Sequence, residues 1–332
     1  MDALSKRGSA IQLKDCECVG LKISERVNGE TVALDLEGIF TSAGRPVAVI
    51  KDCDSTLQKG VRLWSEKQPA AVPVIEDIGH VMATALKAQF EKTRGYKRFI
   101  ALTTKGANCL RQTNLAFLRP PGLRKKGRFQ SIGKLGQWGQ KMLDAMAVKG
   151  RAKKGSTLAR LRAAFPDLMR LKPFIVRFAT TANVSSQIME TLKNNGLDQV
   201  SYERCSQLSE EFPRNSKVKK CLLSWLQRHI EIQKNIGTLP LLVSSDIIES
   251  LFGNFKHIME RSPQADMNRT ALLIPALCGN LGETIISQAL NQAHHRDLEK
   301  WEKDNIPYTM RKKRQDFFSK KNIQKPGKLL CA

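Results

Sequence analysis

Apolar and polar residues alternate at the start of the chain, in the period-two pattern of a strand with one buried face. The apolar positions of this pattern are Ile11, Leu13, Val19, Leu21 and Ile23. The pair Asn28-Gly29 predicts a turn. Apolar residues from Val32 to Phe40 then recur at helical spacing, and Gly44 predicts the end of that helix. The opening of the chain is therefore expected to form a strand, a turn and a helix.

Two more pairs of strand and helix are predicted before residue 90. Residues 47–50 form a short, wholly apolar run, which is typical of a buried strand. A helix is predicted over residues 55–66, with the spacing of a capping box at Ser55. Residues 72–75 predict a strand at an edge or at a strand start, because Pro73 has no N–H to donate. Another helix follows, and the alternation indicates an α/β unit with parallel strands.

The strand patterns stop after this unit. Pro120-Pro121 ends a helical stretch, and residues 127–155 are basic and rich in glycine, which favours a loop or a DNA-contacting insertion. Later segments have helical periodicity, so the rest of the chain is expected to be mostly helical. One such helical face consists of Val218, Leu222, Trp225, Leu226 and Ile232.

The formal net charge is +24, from 55 basic and 31 acidic residues, and the basic excess is concentrated in two blocks. Residues 1–90 are nearly neutral, whereas residues 119–177 carry 16 basic residues against Asp144 and Asp167. Residues 311–328 form a second basic block. A single basic cluster is usually a solvated face, but two segregated blocks favour contact with a nucleic acid. The residues expected to bind DNA are Arg124, Lys125, Lys126, Arg128, Arg151, Lys153 and Lys154.

The apolar runs and the cysteines narrow the class of protein further. The longest apolar run, residues 271–278, is far shorter than the roughly 20 residues that cross a bilayer. The N-terminal residues lack the apolar core of a signal peptide, so a reducing compartment is expected. The chain has eight cysteines without a Cys-x-x-Cys pair, and Cys16-x-Cys18 has too few nearby partners for zinc. The cysteines are expected to be reduced and mostly structural.

Two carboxylates lie at the ends of predicted strands. Asp52 and Asp77 each follow a strand and precede a helix. Ligands bind at the carboxyl ends of strands in open α/β sheets, and carboxylate oxygens are suitable ligands for Mg²⁺. The alternative is structural: Asp52 or Asp54 is a turn residue, and Asp77 is a helix N-cap. Spacing alone leaves both alternatives open.

Two further motifs carry candidate chemistry. His80 comes three residues after Asp77 on the first turn of a predicted helix, so the two side chains can face one site. A lone histidine is more often structural. Far downstream, Asp246-x-x-Glu249 places a third acid in a helical segment, although the same spacing is that of a capping box.

Four segments that contain these residues occur in order along the chain. They are residues 47–60 (VAVIKDCDSTLQKG), 77–80 (DIGH), 112–121 (QTNLAFLRPP) and 245–256 (SDIIESLFGNFK). Together they resemble bacterial insertion-sequence transposases of the DDE type. The resemblance extends from about Ile11 to Phe318, and its most specific element is the last segment.

The resemblance implies a ribonuclease H-like catalytic core that is interrupted by a helical insertion before the helix with the last acid. By position, Asp52 resembles the second catalytic Asp of the family and Glu249 resembles its Glu. Asp77 and His80 resemble an acid-x-x-His feature of related transposases. Asp52 and Glu249 would then hold Mg²⁺ or Mn²⁺ for phosphoryl transfer to or from DNA. This chain has Cys53-Asp54 where the family usually has small glycines, so Asp54 is a competing ligand.

The resemblance also sets the expected organisation and partners. The expected fold class is α/β: a partial ribonuclease H-like core with a large helical insertion and a helical C-terminal part. The expected segments are residues 1–118 as part of the core, 119–240 as the basic helical insertion, 241–310 as the returning core helix and helical region, and 311–332 as a basic tail. The family's first strand and first Asp should precede Ile11, so an N-terminally truncated member is expected.

The function implied by the resemblance is that of a transposase-family protein in a prokaryotic cytoplasm, associated with the nucleoid. Its expected partners are double-stranded DNA at transposon ends and at the target, and a second copy in a homodimer, with no membrane. Because the first catalytic Asp is not found, enzymatic activity is left open. The alternatives are a truncated remnant that binds DNA without catalysis and, less favoured, a basic RNA-binding protein.

Overall fold

A computed structural model of the chain describes residues 13–24, 26–122, 129, 132–261, 269–306 and 309–319. This part of the chain is mostly helical, and its only sheet has two parallel strands. The chain divides into two compact units. The described residues of the first unit fall within Val47–Cys53 and Pro73–Ser244, and those of the second within Ile11–Pro46, Asp54–Val72 and Ser245–Ala332.

The regular elements are numbered in chain order. They are α1 (Gly29–Ala43), β1 (Val49–Lys51), α2 (Ser55–Ser65), β2 (Val74–Glu76), α3 (Ile78–Phe90), α4 (Arg94–Leu110), α5 (Gly133–Met146), α6 (Thr157–Ala164), α7 (Lys172–Asn195), α8 (Gln199–Ser209), α9 (Lys217–Ile236), α10 (Asp246–Glu260), α11 (Leu273–Ala276), α12 (Glu283–Gln292), α13 (His295–Asn305) and α14 (Met310–Phe318). Among them, no described helix is both long and apolar enough to cross a lipid bilayer.

The two predicted strands of the first unit are confirmed. β1 and β2 are parallel, with Ile50 opposite Ile75. Pro73 directly precedes β2, and its carbonyl accepts a hydrogen bond of 2.9 Å from the N–H of Val49. The proline therefore lies at a strand start, where its missing N–H removes no bond of the ladder. In the described residues the α/β character of the chain is limited to this strand pair.

Packed helices form the core of the first unit. α7 contacts α5 and α8 along its length, and α9 packs against α3. Fully buried aromatic side chains fill the space between the helices: Phe99, Phe165, Phe178 and Trp225. The predicted apolar face of residues 218–232 is confirmed, because its members on α9 belong to this core or pack against it.

The prediction of a loop over residues 127–155 is wrong for α5. The glycines of this helix lie where neighbouring helices approach closely. A Cβ at Gly136 would lie 3.1 Å from the Cα of Ala179, and one at Gly139 would lie 3.0 Å from Phe99 and Ile175. Glycine here allows close packing and does not break the helix. Among the described residues that follow α5, residues 147–156 form a loop.

The second unit includes the α1–α2 pair and the helices from α10 onward. The helix predicted up to Gly44 is confirmed, and Gly44 follows it at a φ of 86°. Asn28 is the N-cap of α1, not part of a separate turn, and its side chain accepts from the N–H of Thr31. α2 begins after Asp54, which accepts from two backbone N–H groups, so the predicted cap at Ser55 is corrected to Asp54.

The strand predicted over residues 11–23 is wrong in its described part. Residues 13–24 contain one 3₁₀ turn, Leu13–Asp15, and no regular structure after it. Val19 is 60% exposed, whereas Leu21 packs against the apolar cluster of Leu251, Phe255 and Ile274. Val19 and Leu21 belong to the same predicted face but differ in burial, so the period-two pattern of the sequence does not correspond to one buried face.

Candidate functional site at the strand ends

Asp77 is held at the end of β2 by its backbone and its side chain. Its N–H donates to the carbonyl of Lys51 at 2.9 Å, and its Oδ1 accepts from the N–H of His80 at 2.8 Å. The side chain is only 2% exposed. Asp77 is therefore the N-cap of α3, as the structural alternative predicted.

His80 meets the same carboxylate, as its spacing predicted. Its Nδ1 lies 3.1 Å from Asp77 Oδ1, and its side chain is 28% exposed. A buried carboxylate on one ring nitrogen fixes the orientation of an imidazole, and this arrangement suits general acid–base chemistry at the other nitrogen. The contact between Asp77 and His80 is confirmed, and a catalytic role for the pair stays a prediction.

Lys193 of α7 joins this pair, and the sequence reasoning missed it. A Cβ at Gly79 would lie 3.1 Å from Asp77 Oδ1 and 3.4 Å from Lys193 Nζ. Because Gly79 has no side chain, a small space remains at this point. The Lys193 ammonium and the Asp77 carboxylate both lie next to it. Lys193 belongs to no motif, and only the packing of α7 brings it to the end of β2.

Three residues of α9 fix the last residue of β2. The N–H of Glu76 donates to His229 Nε2 at 3.1 Å, and Trp225 Nε1 donates to the carbonyl of Glu76 at 3.1 Å. The Glu76 carboxylate forms an ion pair with Arg228. Since Nε2 of His229 accepts, its Nδ1 carries the proton that is donated to the carbonyl of Trp225. Burial lowers the pKa of His229 to about 4, so the ring is neutral at pH 7.

The carboxylates at the two strand ends surround Cys53. Burial raises the pKa of the Cys53 thiol, and the charges of Glu76, Asp77 and Asp52 raise it further against the opposing effect of Lys51. The charges of three carboxylates near the strand ends therefore all act on Cys53. Asp54, the competing ligand, caps α2 through the N–H groups of Thr56 and Leu57.

Glu249 lies on the exposed first turn of α10 in the second unit, whereas Asp52 belongs to the first unit. The residue at the cap position is Ser245, and α10 has no side-chain cap hydrogen bond. The capping-box interpretation of Asp246 and Glu249 is therefore not supported. The approach of Glu249 to Asp52 stays a prediction.

The implied metal site of Asp52 and Glu249 combines residues of the two units and stays a prediction. No group of three or more His, Cys, Asp or Glu side chains among the described residues is arranged to hold a metal ion. Asp77 binds the N-terminus of α3 and His80, and Asp54 caps α2. Two of the carboxylates near the strand ends, Asp54 and Asp77, thus act as helix N-caps.

The predicted DNA-binding residues fall into two groups. Arg124, Lys125, Lys126 and Arg128 lie outside the described residues. The other three occupy the loop of residues 147–156 between α5 and α6, which we call the basic loop, and all three are exposed: Arg151, Lys153 and Lys154.

Arg162 of α6 organises the basic loop, a role that the sequence reasoning missed. Its guanidinium donates to the carbonyls of Met146, Val148 and Gly150, at 3.3 Å for Met146 and 2.8 Å for Gly150. These hydrogen bonds fix the backbone of the first half of the basic loop. Within the described part of residues 119–177, Arg170 forms an ion pair with Asp167. Arg151, Lys153 and Lys154 of the basic loop form no ion pair with the described acidic residues of that range.

Comparison with protein-family models, with curated proteins and with solved structures gives no match for this chain.

Proposed function

We propose that this chain is a transposase-family protein that binds the double-stranded DNA of transposon ends through its basic blocks. The basic loop carries the proposal, because it presents three exposed cations that lack acidic partners among the described residues. Phosphate oxygens are the natural partners of such cations, and contacts of this kind supply most of the affinity of non-specific DNA binding.

The strand-end site supports the catalytic side of the proposal. In the ribonuclease H-like core that we propose, Asp52 follows β1 as the second family Asp, and α10 carries Glu249. The Asp77–His80 pair supplies an oriented imidazole at the end of β2. Its role in this proposal is to hold or transfer a proton near a DNA phosphate.

A second candidate is DNA binding without catalysis, and the use of Asp77 and Asp54 as helix N-caps favours it. No carboxylate cluster of the described residues is arranged for a metal ion. If this candidate holds, the chain binds DNA duplexes but does not cleave them in Mg²⁺ or Mn²⁺, and Glu249→Gln leaves binding unchanged. Cleavage of a labelled transposon-end duplex that depends on Glu249 would favour the enzymatic proposal instead.

The binding proposal is tested by neutralising the basic loop in Arg151→Gln, Lys153→Gln and Lys154→Gln together. We expect weaker binding to a fluorescent duplex, and a slope of log K against log salt that is smaller by about 0.9 for each lost phosphate contact. Fluorescence anisotropy over a series of salt concentrations measures both quantities.

The matched control removes the same charge from exposed lysines of the second unit, in Lys67→Gln, Lys300→Gln and Lys303→Gln. If the control variant and the loop variant lose the same slope, the loop contributes only to the total charge. The assignment of the loop as a DNA contact would then be wrong.

A further inference from the structure

Three cysteines of the second unit come together, although they are distant in sequence. Cys16 and Cys18 lie directly after the 3₁₀ turn, and Cys278 lies after α11. A Cβ at Gly279 would lie 3.5 Å from the carbonyl oxygen of Cys16, so the two backbones touch at this point. Disulfides join residues whose Cα atoms are about 4.4–6.8 Å apart, so such a bond requires neighbouring backbones, and Cys278 directly precedes the glycine that approaches Cys16.

Apolar packing holds the two segments in this arrangement. Leu21, which follows the cysteine pair, and Cys278 both pack against the cluster of Leu251, Phe255 and Ile274. The thiol of Cys18 donates to the carbonyl of Gly20 at 3.4 Å. The segment of residues 13–24 is therefore fixed by side-chain contacts on α10 and α11, without a backbone ladder among its described residues.

The three thiols also influence one another. Burial raises the pKa of Cys16, and the neighbouring Cys278 raises it further. Burial likewise raises the pKa of Cys278, with a further contribution from Cys18. Cys278 is thus the common neighbour of both members of the Cys16-x-Cys18 pair. All three residues are partly accessible to solvent.

We propose that Cys278 and Cys16 form a reversible disulfide by exchange with glutathione disulfide, and that two molecules of reduced glutathione reopen it by the reverse exchange. This inference is independent of DNA binding. The bond would join the segment of residues 13–24 covalently to the end of α11, in the unit whose helix α10 carries Glu249.

The exchange proceeds in two steps. The Cys278 thiolate attacks one sulfur of glutathione disulfide, the S–S bond breaks, and one glutathione leaves as a thiolate. The Cys16 thiolate then attacks Cys278 Sγ, and the second glutathione leaves. Two protein thiols are oxidised, one glutathione disulfide is reduced to two thiols, and the two protons from the cysteines pass to glutathione.

The test uses the full chain, incubated with glutathione disulfide, blocked with N-ethylmaleimide, digested and mapped by mass spectrometry. We expect a crosslinked peptide pair that contains Cys16 and Cys278 and disappears with dithiothreitol. Either Cys278→Ser or Cys16→Ser should abolish this pair. The matched control is Cys53→Ser with Cys109→Ser, which removes two exposed cysteines and should leave the crosslink unchanged.

Two results would overturn the proposal. One is glutathione bound only at Cys53 and Cys109 while Cys278 is fully alkylated. The other is a crosslink that joins Cys16 to Cys18, or either of them to a cysteine other than Cys278, in the unmodified chain. A second measurement uses only the unmodified chain and so does not depend on the folding of a variant. Oxidation should raise the urea midpoint of unfolding, and dithiothreitol should restore the original midpoint. An unchanged midpoint in a crosslinked chain would contradict the tethering of the segment.

Discussion

At the scale of single residues, Asp77 has two roles: it is the N-cap of α3, and it contacts the ring of His80 in the candidate site. Its carboxylate accepts from the backbone N–H of His80, which caps α3, and contacts the ring of the same residue. The sequence spacing fits both a helix N-cap and a partner of His80. The structure shows that Asp77 makes both contacts at once. Substitutions can separate the two contributions.

We expect Asp77→Ala to lower the free energy of unfolding by about 1–2 kcal/mol, because α3 loses its N-cap. Asp77→Asn is the matched control, since asparagine keeps an oxygen that accepts from the N–H of His80 and is an equally good cap. Urea unfolding followed by circular dichroism measures both variants. Equal losses in the two variants would show that the negative charge, and not the cap, stabilises this site.

His229 makes the stability of the first unit dependent on pH. Its pKa of about 4 in the folded chain is below the usual 6.5 because the ring is buried, so between these values the unfolded chain binds more protons. Stability is therefore complete above about pH 6.5 and decreases as the pH falls toward 4, by about 3 kcal/mol in total. Protonation of Nε2 would also break the bond from the N–H of Glu76.

Urea unfolding between pH 4 and pH 7.5 checks this expectation. His229→Gln does not titrate, so it should be less stable at pH 7 and should show a flatter pH profile over this range. A profile as steep as that of the unmodified chain would assign the pH dependence to other groups.

At the scale of elements, small residues decide how closely the helices pack. Gly106 of α4 is buried against Phe165, and a Cβ there would lie 1.9 Å from the ring. Gly38 of α1 is also helical but has no atom within 4 Å of a built Cβ. The two positions thus form a matched pair for the same substitution.

Gly106→Ala should destabilise the first unit by about 2–3 kcal/mol, because the fully buried Phe165 has no space in which to move. Gly38→Ala should stabilise the second unit by about 0.5–1 kcal/mol, because alanine loses less backbone entropy in a helix. Thermal unfolding measures both. A Gly106→Ala chain as stable as the unmodified one would contradict the tight packing of α4 on Phe165.

The sequence predicted the elements whose signals are local and missed those that depend on packing. β1, β2 and the helices after them follow from short apolar runs, Pro73 and Asp77, and the contact of Asp77 with His80 follows from their spacing. The glycines of α5 favour a loop in the sequence but permit contact with α7 in the fold. Lys193, Arg162 and the cluster around Glu76 have no local signal, because distant helices bring these residues together.

At the scale of the whole molecule, the net charge of +24 determines how the chain meets a polyanion. Such a charge attracts DNA at long range whatever the local geometry, and salt screens this attraction. Total charge and specific contact therefore differ in how they respond to the position of a substitution. Neutralising the same number of charges at different places separates the two.

The cluster of Arg124, Lys125, Lys126 and Arg128 allows this comparison, since it is the densest part of the first basic block. If these residues contact phosphates, changing all four to glutamine should reduce the slope of log K against log salt by about 0.9 per lost contact. The same loss of charge at exposed lysines of the second unit should lower affinity with little change of slope. An equal loss of slope in the two variants would mean that the chain attracts DNA only through its overall field.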